Sequence, residues 1–541
     1  MGFVKNTVIN LHCDALGAEL EGICRCEGIP VFVPGMLPGE SADVRIEKVH
    51  PRYAFGKAVS PPSPSSPCRK EPDCPVFPRC GGCQGRHMTY QATLDAKREQ
   101  VESCFQRIGH LSVPVRPVVG MDHPFQYRNK TALPVGGTSD QPVLGFYAPR
   151  SHFLIPVTEC PNAMIPSPLL CQDILRWMKA EHVEPYLEKT HTGMLRHVVI
   201  RVNRKGESMV TLVIKGKKIP HPNALADMLF RHGCISLYLN ENPDPTNVIL
   251  GHRFSLIRGN ACLEDTLCGL TFDLSPASFF QVNPEQAEKL YNLVLSMAEI
   301  QNNEQVCDVY CGTGTISLLL AMRARQVTGI EVVPEAIENA RNNARRNHIE
   351  NITFHVGAAE EVLPRLVAQG YRPDVLVVDP PRKGMQPEVI QAISEVNASR
   401  IVYVSCNPAT LARDAALLAA SGYSVNCAVP VDMFCWTSGV EAVCLLSKVR
   451  SAPHIDIDPG MTELDVTTAE TNASYKEITD YVLEHTGLEV SCLHIAQVKE
   501  KHSIIERDYC SKPKGEDNKV PQCPPEKEKA IEDALRHFQM I

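Results

Sequence analysis

The hardest constraint on the fold lies between residues 306 and 408, where four strand-like runs each end in a short loop of unusual composition. Val306 to Tyr310 leads into Cys311-Gly312-Thr313-Gly314-Thr315 and a helical pattern that continues through Arg323. QVTGIE ends in Glu331, Asp374 to Val378 runs into Asp379-Pro380-Pro381-Arg382, and Ile401 to Val404 runs into Ser405-Cys406-Asn407-Pro408. β-Branched runs with helix-period segments between them predict a doubly wound, Rossmann-like parallel sheet. In such sheets ligands collect at the carboxyl ends of the strands, where all four loops would stand.

Each loop has a chemistry to offer. Glycines let the backbone approach a ligand and aim helix N–H groups at it. Glu331, at its spacing from Gly314, suits the two ribose hydroxyls of an adenosine moiety. A Gly-x-Gly loop also serves dehydrogenases, but the acidic-Pro-Pro turn is unusual there and common in methyltransferases acting on nucleobases. Its prolines fix the turn while Asp379 points into the cleft, free to accept hydrogen bonds. Cys406 is either a small core hydrophobe, which its position alone favours, or a nucleophile with its pKa lowered beside a helix N-terminus. A last strand within Val431 to Lys448 carries Glu441 among apolar neighbours, as a structural residue or a base.

The chain of 541 residues has room for several cores, with 44% hydrophobic and 21% charged residues. No run of about 18 apolar residues appears, so no membrane span is expected. The start, MGFVKNTVIN, has neither a signal-peptide core nor a myristoylation pattern, and a cytoplasmic protein is expected. Its 22 Cys are then reduced thiols, metal ligands or a nucleophile, not a disulfide framework. The net charge of −8 resides in residues 451–541, with 18 Asp and Glu against 10 Lys and Arg; residues 1–450 balance at 44 of each. Leu187 to Lys218 holds eight Lys and Arg against two acids, as a phosphate-facing strip or a solvated hairpin.

Residues 7–58 alternate in short runs broken by Gly and Pro, as in a small β-barrel. Ser60 to Pro67 (SPPSPSSP) reads as an extended tether, too rich in Pro and Ser to pack. Next come Cys68, Cys74, Cys80 and Cys83, with Gly81-Gly82 between the last two. This spacing suits thiolates converging on an iron–sulfur cluster or on zinc. A helix follows over His87 to Arg107, then a strand-rich region to Leu274. There Arg128, Lys130, Arg150, Arg196 and Arg201 are candidates for phosphate contact. SPASFFQVNPEQAEKLY is a turn and then a helix capped near Asn283-Pro284.

Several of these stretches resemble known families. IPVFVPGMLPGE with ADVRIEKV resembles the TRAM domain, an OB-like five-stranded barrel that grips RNA by charge and stacking; Arg45, Lys48, Arg52, Tyr53 and Lys57 suit that use. DCPVFPRCGGCQGRHM, F-x-Q-x-N, DVYCGTGT, VDPPRKG and YVSCNPATLARD together resemble the bacterial 23S ribosomal RNA uracil-C5 methyltransferases. The resemblance implies a [4Fe-4S] cluster on Cys74, Cys80, Cys83 and Cys160, leaving Cys68 outside the pattern. It implies S-adenosylmethionine bound by Gln281, Tyr310, Gly312, Gly314, Glu331 and Asp379, with Phe279 beside the target base. Cys406 is the implied nucleophile, adding to carbon 6 of uracil, and Glu441 the base that takes the proton from carbon 5. Where the family carries Pro-His ahead of the Thr and His two residues before Glu441, this chain has Cys435-Trp436 and Gly439.

The expected architecture is a multidomain α/β chain. It has a TRAM barrel over 1–60, an iron–sulfur segment over 61–110, a central β-rich RNA-binding domain over 111–274 and a methyltransferase domain over 275–450. An acidic linker and a small helical extension fill 451–541. The expected partner is ribosomal RNA, with no membrane and a monomeric state. Three rivals remain: a transfer-RNA uracil methyltransferase, an RNA-binding ribosome-assembly factor with a vestigial site, and an enzyme of the same fold acting on an exocyclic amine.

Overall fold

The structure, a computed structural model, describes residues 3–449 and, in the tail, 475–486, 524–537 and isolated positions between them. It comprises two compact units, 1–451 and 452–541.

The first unit opens with a closed barrel of β1 (Val8–Leu16), β2 (Gly22–Cys26), β3 (Ile29–Val33), β4 (Ser41–Val49) and β5 (Ala54–Ala58), in the order β1-β2-β3-β5-β4. Alternate residues such as Val31, Val33, Val44 and Ile46 fill its interior, as a period of two requires. The stretch after β5 is not a free tether. Ser63 exchanges two backbone hydrogen bonds with Ser41 (3.0 and 2.8 Å), and Ser60 Oγ accepts from Asp43 N–H (2.8 Å). The buried Glu40 then takes Ser66 N–H and both ends of the Arg69 guanidinium. Prolines removed donors from this segment, but its serines supply enough to bind the barrel edge.

Helix α1 (Tyr90–Arg107), capped by Thr89, leads to the central region. There a seven-stranded sheet has the order β12-β11-β10-β9-β6-β7-β8. Its strands are β6 (Lys130–Gly137), β7 (Pro142–Tyr147), β8 (Leu154–Pro156), β9 (Leu195–Val202), β10 (Ser208–Ile214), β11 (Cys234–Glu241) and β12 (Arg253–Gly259). Helices α2 (Ser167–Ala180) and α3 (Pro222–Phe230) share an apolar core with the sheet, around Trp177. Every residue of β9 and β10 is buried, so Arg196 and Arg201 are not phosphate contacts, while the other six cations of the basic strip, Lys189, Arg204, Lys205, Lys215, Lys217 and Lys218, lie outside those strands and are exposed. Arg196 donates to the carbonyls of Asn242, Asp244 and Thr246, and Arg201 to that of Ser278. These two guanidinium groups tie loops to the sheet. Arg128 and Lys130 are half-buried, and Arg150 is exposed.

A short hairpin, β13 (Leu263–Leu267) and β14 (Leu270–Leu274), precedes α4 (Pro284–Ala298), where Asn283 caps the helix and Pro284 opens it. Then come β15 (Gln305–Val309), α5 (Thr315–Ala321), β16 (Gln326–Glu331), α6 (Pro334–Arg346), β17 (Ile352–Val356), α7 (Ala359–Ala368), β18 (Val375–Val378), α8 (Pro387–Val396), β19 (Arg400–Ser405), α9 (Pro408–Ala420), β20 (Tyr423–Val431) and β21 (Glu441–Lys448). Their sheet runs β17-β16-β15-β18-β19-β21-β20, parallel up to β19, with β21 antiparallel to both neighbours. Strand order reverses between β15 and β18, the switch point at which open α/β sheets hold their ligands in a crevice.

In the second unit, helices over Tyr475–Thr486 and Pro525–His537 share an apolar core that includes Ile478, Val482, Ile531 and Leu535. The acidic stretch 451–470 lies outside the described residues. No helix among the described residues is long and apolar enough to cross a membrane.

Candidate active site

The loops that leave β15, β16, β18 and β19, together with the start of β21, border the crevice. Tyr310 leaves β15 in the left-handed region (φ +70°), strained for a side chain of its size. It opens a turn in which Gly312 (φ +55°) and Gly314 (φ +81°) also need that region. A Cβ on Gly312 would meet nothing within 4 Å, so this backbone faces open space. Glu331, at the end of β16, accepts from Gly312 N–H (3.1 Å) and Val333 N–H (2.9 Å). That carboxylate is thus already tied to the glycine turn. Just behind, the buried Asp308 accepts from Ser317 Oγ and keeps one oxygen unpartnered; burial pushes it up to about 7.

Cys406 and Glu441 meet across the antiparallel pair β19 and β21. Ser405 is paired with Ala442, so Cys406, the residue after Ser405, comes level with Glu441, the residue before Ala442. Glu441 is 5% exposed, and loss of water pushes its carboxyl up to about 8, with Asp379 adding to the rise and Arg382 opposing it. Asp379 is open in part to the crevice, yet desolvation carries it up to about 7. Burial raises the half-exposed Cys406 thiol above its ordinary value. Glu441 and Asp379 raise it further, and Arg382 pulls against them. The expected lowering beside the α9 N-terminus is therefore not found: Asn407 already caps that helix, accepting from Ala409 N–H (3.1 Å), and two carboxyls face the sulfur. The same Asn407 donates to the Arg382 carbonyl (2.9 Å), locking the Asp-Pro-Pro-Arg turn against the Cys406 turn.

Gln281 is buried next to Tyr291, whose surroundings also include Asp379 and Glu441. Phe279, two residues earlier, is 70% exposed, an apolar ring offered to solvent. The sequence reading missed Arg382, Tyr291 and Asp308. Arg382 was in view as the cation directly after the two prolines, and Asp308 as an acid inside an apolar strand. Nothing in the sequence marked Tyr291.

A second site lies apart from this crevice. Cys74, Cys80, Cys83 and Cys160 line one cavity of about 270 Å³, which Arg86 and Asn162 also border. Gly82 N–H points at Cys80 Sγ (3.4 Å) and Asn162 Nδ2 at Cys83 Sγ (3.5 Å). The buried Arg86 pairs with Asp73 and Asn162, and its Nε has no partner. Burial raises the Cys80 and Cys83 thiols, and the neighbouring thiols raise them further. Among the described residues no three His, Cys, Asp or Glu side chains gather closely enough for a single metal ion. Cys68 packs instead against Leu20, Leu37 and Met88.

A doubly wound sheet with a glycine turn, an acidic ribose-type residue and an acidic-Pro-Pro turn at its switch point defines an S-adenosylmethionine-dependent methyltransferase. Residues 268–449 match the family described as tRNA (Uracil-5-)-methyltransferase, and residues 5–59 match the TRAM domain. An uncharacterized RNA methyltransferase of Clostridium tetani is 42% identical over 446 residues, 82% of this chain and 97% of that protein. One from Halalkalibacterium halodurans is 42% identical over 448 residues, with the same shares. The crystal structure of Pyrococcus abyssi tRNA (uracil-54, C5)-methyltransferase in complex with S-adenosyl-L-homocysteine superimposes with a TM-score of 0.65 at 28% identity. It covers 81% of this chain and 99% of that one. The chain belongs to the RNA (uracil-5-)-methyltransferase family.

Proposed function

We propose that this enzyme methylates carbon 5 of a uridine in 23S ribosomal RNA through a covalent Cys406 adduct. The observation that carries the reading is the closeness of Cys406 and Glu441 at two neighbouring strand ends, beside Asp379 and Arg382. Carbon 5 of uracil is too weak a nucleophile to take a methyl group unaided. Cys406 thiolate adds to carbon 6, and the ring electrons move to make carbon 5 nucleophilic. S-adenosylmethionine, when bound, supplies the methyl group to that carbon. Glu441 then takes the proton from carbon 5, the S–C6 bond breaks, and Cys406 is regenerated. A carboxyl raised to about 8 is a strong base once ionised, which suits this step.

Gly312, with open space in front of its backbone, Gly314 and Glu331 are assigned to hold the adenosine end of the donor, with Gln281, Tyr310 and Asp379 around its methyl-bearing end. Arg382 supports the thiolate, and the exposed Phe279 offers its ring to the extruded base. In the second site the residues fit a [4Fe-4S] cluster. Four thiols ring a cavity far larger than one ion, N–H groups aim at two sulfurs, and a buried Arg86 stands ready to offset negative charge. A cluster bound there would hold Cys74, Cys80 and Cys83 to the loop of Cys160, a structural role.

Transfer RNA is the second reading, because the Pyrococcus protein acts on uracil-54 of tRNA. Incubation with labelled methyl donor and mixed ribosomal and transfer RNA, followed by nucleoside analysis, decides between them. Label in 5-methyluridine from 23S RNA is expected. Label confined to transfer RNA moves the assignment to that substrate, and none in 5-methyluridine defeats both.

A further inference from the structure

The segment between β20 and β21, residues 432–440, delivers Glu441 to the crevice and is tied to elements far away in sequence. Asp432, fully buried, accepts from Tyr90 Oη (2.7 Å) and from the buried Lys97, which also donates to the Phe434 carbonyl (3.1 Å). At the centre of the loop is Trp436. Its Nε1 donates to the Pro124 carbonyl (2.7 Å), and its own carbonyl accepts from both Gln84 N–H (3.0 Å) and Gly85 N–H (2.9 Å). Its ring lies 5.2 Å from that of Tyr90 and 5.8 Å from that of Phe125, with Lys70 Nζ 4.3 Å away. Gln84 Oε1 accepts from Ser438 N–H (3.2 Å), and Thr437 borders the four-thiol cavity.

Two facts single out Trp436. It sits in the left-handed region at φ +67°, a conformation unfavourable for a bulky residue that persists only where its surroundings enforce it. And it joins Glu441, five residues on, to the segment that immediately follows Cys83. Glu441 is the first residue of its strand, so the direction in which this loop leaves sets where the carboxyl points.

We propose that Trp436 is a positioning residue, clamping the loop that carries Glu441 to the thiol-bearing segment so that the base stands opposite Cys406. The proposal rests on the roles given to Cys406 and Glu441 above. Its chemical consequence is selective. With the clamp broken, Cys406 still adds to carbon 6 and carbon 5 still takes the methyl group. The carbon 5 proton then has no acceptor, so the S–C6 bond persists and a methylated enzyme–RNA adduct accumulates on ordinary uridine.

The test compares Trp436→Ala, Trp436→Phe and Glu441→Gln with ordinary substrate RNA and methyl donor, following turnover and denaturation-stable adduct. Trp436→Ala is expected to lose about 10²-fold in turnover, the scale of a misplaced general base, and to accumulate adduct as Glu441→Gln does. Trp436→Phe keeps the ring packing and loses the Pro124 bond, so it should fall between. Wild-type turnover in Trp436→Ala overturns the proposal, as does loss of turnover without adduct. If the Ala variant does not fold, adduct no greater than wild type in the Phe variant overturns it. A second readout needs no catalysis. The chain has two tryptophans, so Trp177→Phe leaves Trp436 as the only one, and its selectively excited emission should shift when Cys80 and Cys83 are both changed to Ser; unchanged emission refutes the link. Wild-type protein that forms no adduct even with 5-fluorouridine RNA defeats the reaction assignment instead, and the emission arm still judges the clamp.

Discussion

At the scale of single residues the site sets two carboxyls and a thiol together, each raised by burial, and one guanidinium opposes the shifts of Glu441 and Cys406. A thiol held above its ordinary value ionises late, so kcat/KM should climb as pH rises from 7 towards 9. Arg382→Ala should move that climb to higher pH, because it removes the one cation favouring thiolate; a pH–rate profile that stays put or moves down contradicts the assignment. The carboxyls have a stability consequence of definite sign. Glu441 and Asp379 bind their protons more tightly folded than unfolded, with folded values of about 8 and about 7. The folded state therefore holds the extra protons in the window between ordinary carboxyl values and those raised ones, and stability falls as pH rises through it. Glu441→Gln and Asp379→Asn should accordingly raise Tm at pH 8 more than at pH 5, by thermal denaturation of the free protein. Activity has here been kept at the expense of stability.

Among the elements, the glycine turn after β15 shows how local backbone geometry builds a ligand site. Gly314→Ala puts a methyl group 3.0 Å from Ala340 Cβ and 3.3 Å from Phe354 Cζ in a left-handed conformation, so Tm should drop, with about 1–2 kcal/mol lost to the backbone alone. Gly312→Ala carries a similar backbone cost but faces open space, so its larger effect should be on KM for S-adenosylmethionine. Equal KM changes in the two variants would contradict the placement of the donor. That turn was legible in the sequence, as were the Asn283 cap and the strand-end position of Cys406, because each depends on residues adjacent in the chain. The binding of Ser60 to Pro67 to the barrel was not, since it depends on Asp43 and Glu40 becoming buried or exposed as the barrel closes. Nor was the burial of Arg196 and Arg201. Alternation in RHVVIRVNRKG fits a sheet with one wet face, and only the packing of the 278–282 strip on one side and α2 and α3 on the other excludes that. For the Cys406 pKa, the helix N-terminus was visible in sequence, but the two opposing carboxyls come from distant strands.

For the whole molecule, the tail folds around its own apolar core and carries the entire net charge of the chain. Truncation after Ser451 should leave the thermal transition of the catalytic unit and its S-adenosylmethionine binding unchanged. At low salt it should tighten RNA binding, because removing net negative charge lowers repulsion from phosphates. A collapsed transition would show that the tail is needed for the fold of the first unit. The proposed catalysis passes through a bond between Cys406 and carbon 6 of a uracil. Mass spectrometry of the protein incubated with methyl donor and 5-fluorouridine-containing ribosomal RNA tests it most directly, because fluorine cannot leave as a proton and the bond is trapped. A methylated RNA adduct on the peptide containing Cys406 is expected. RNA bound without any adduct, or an adduct on another residue, would contradict it.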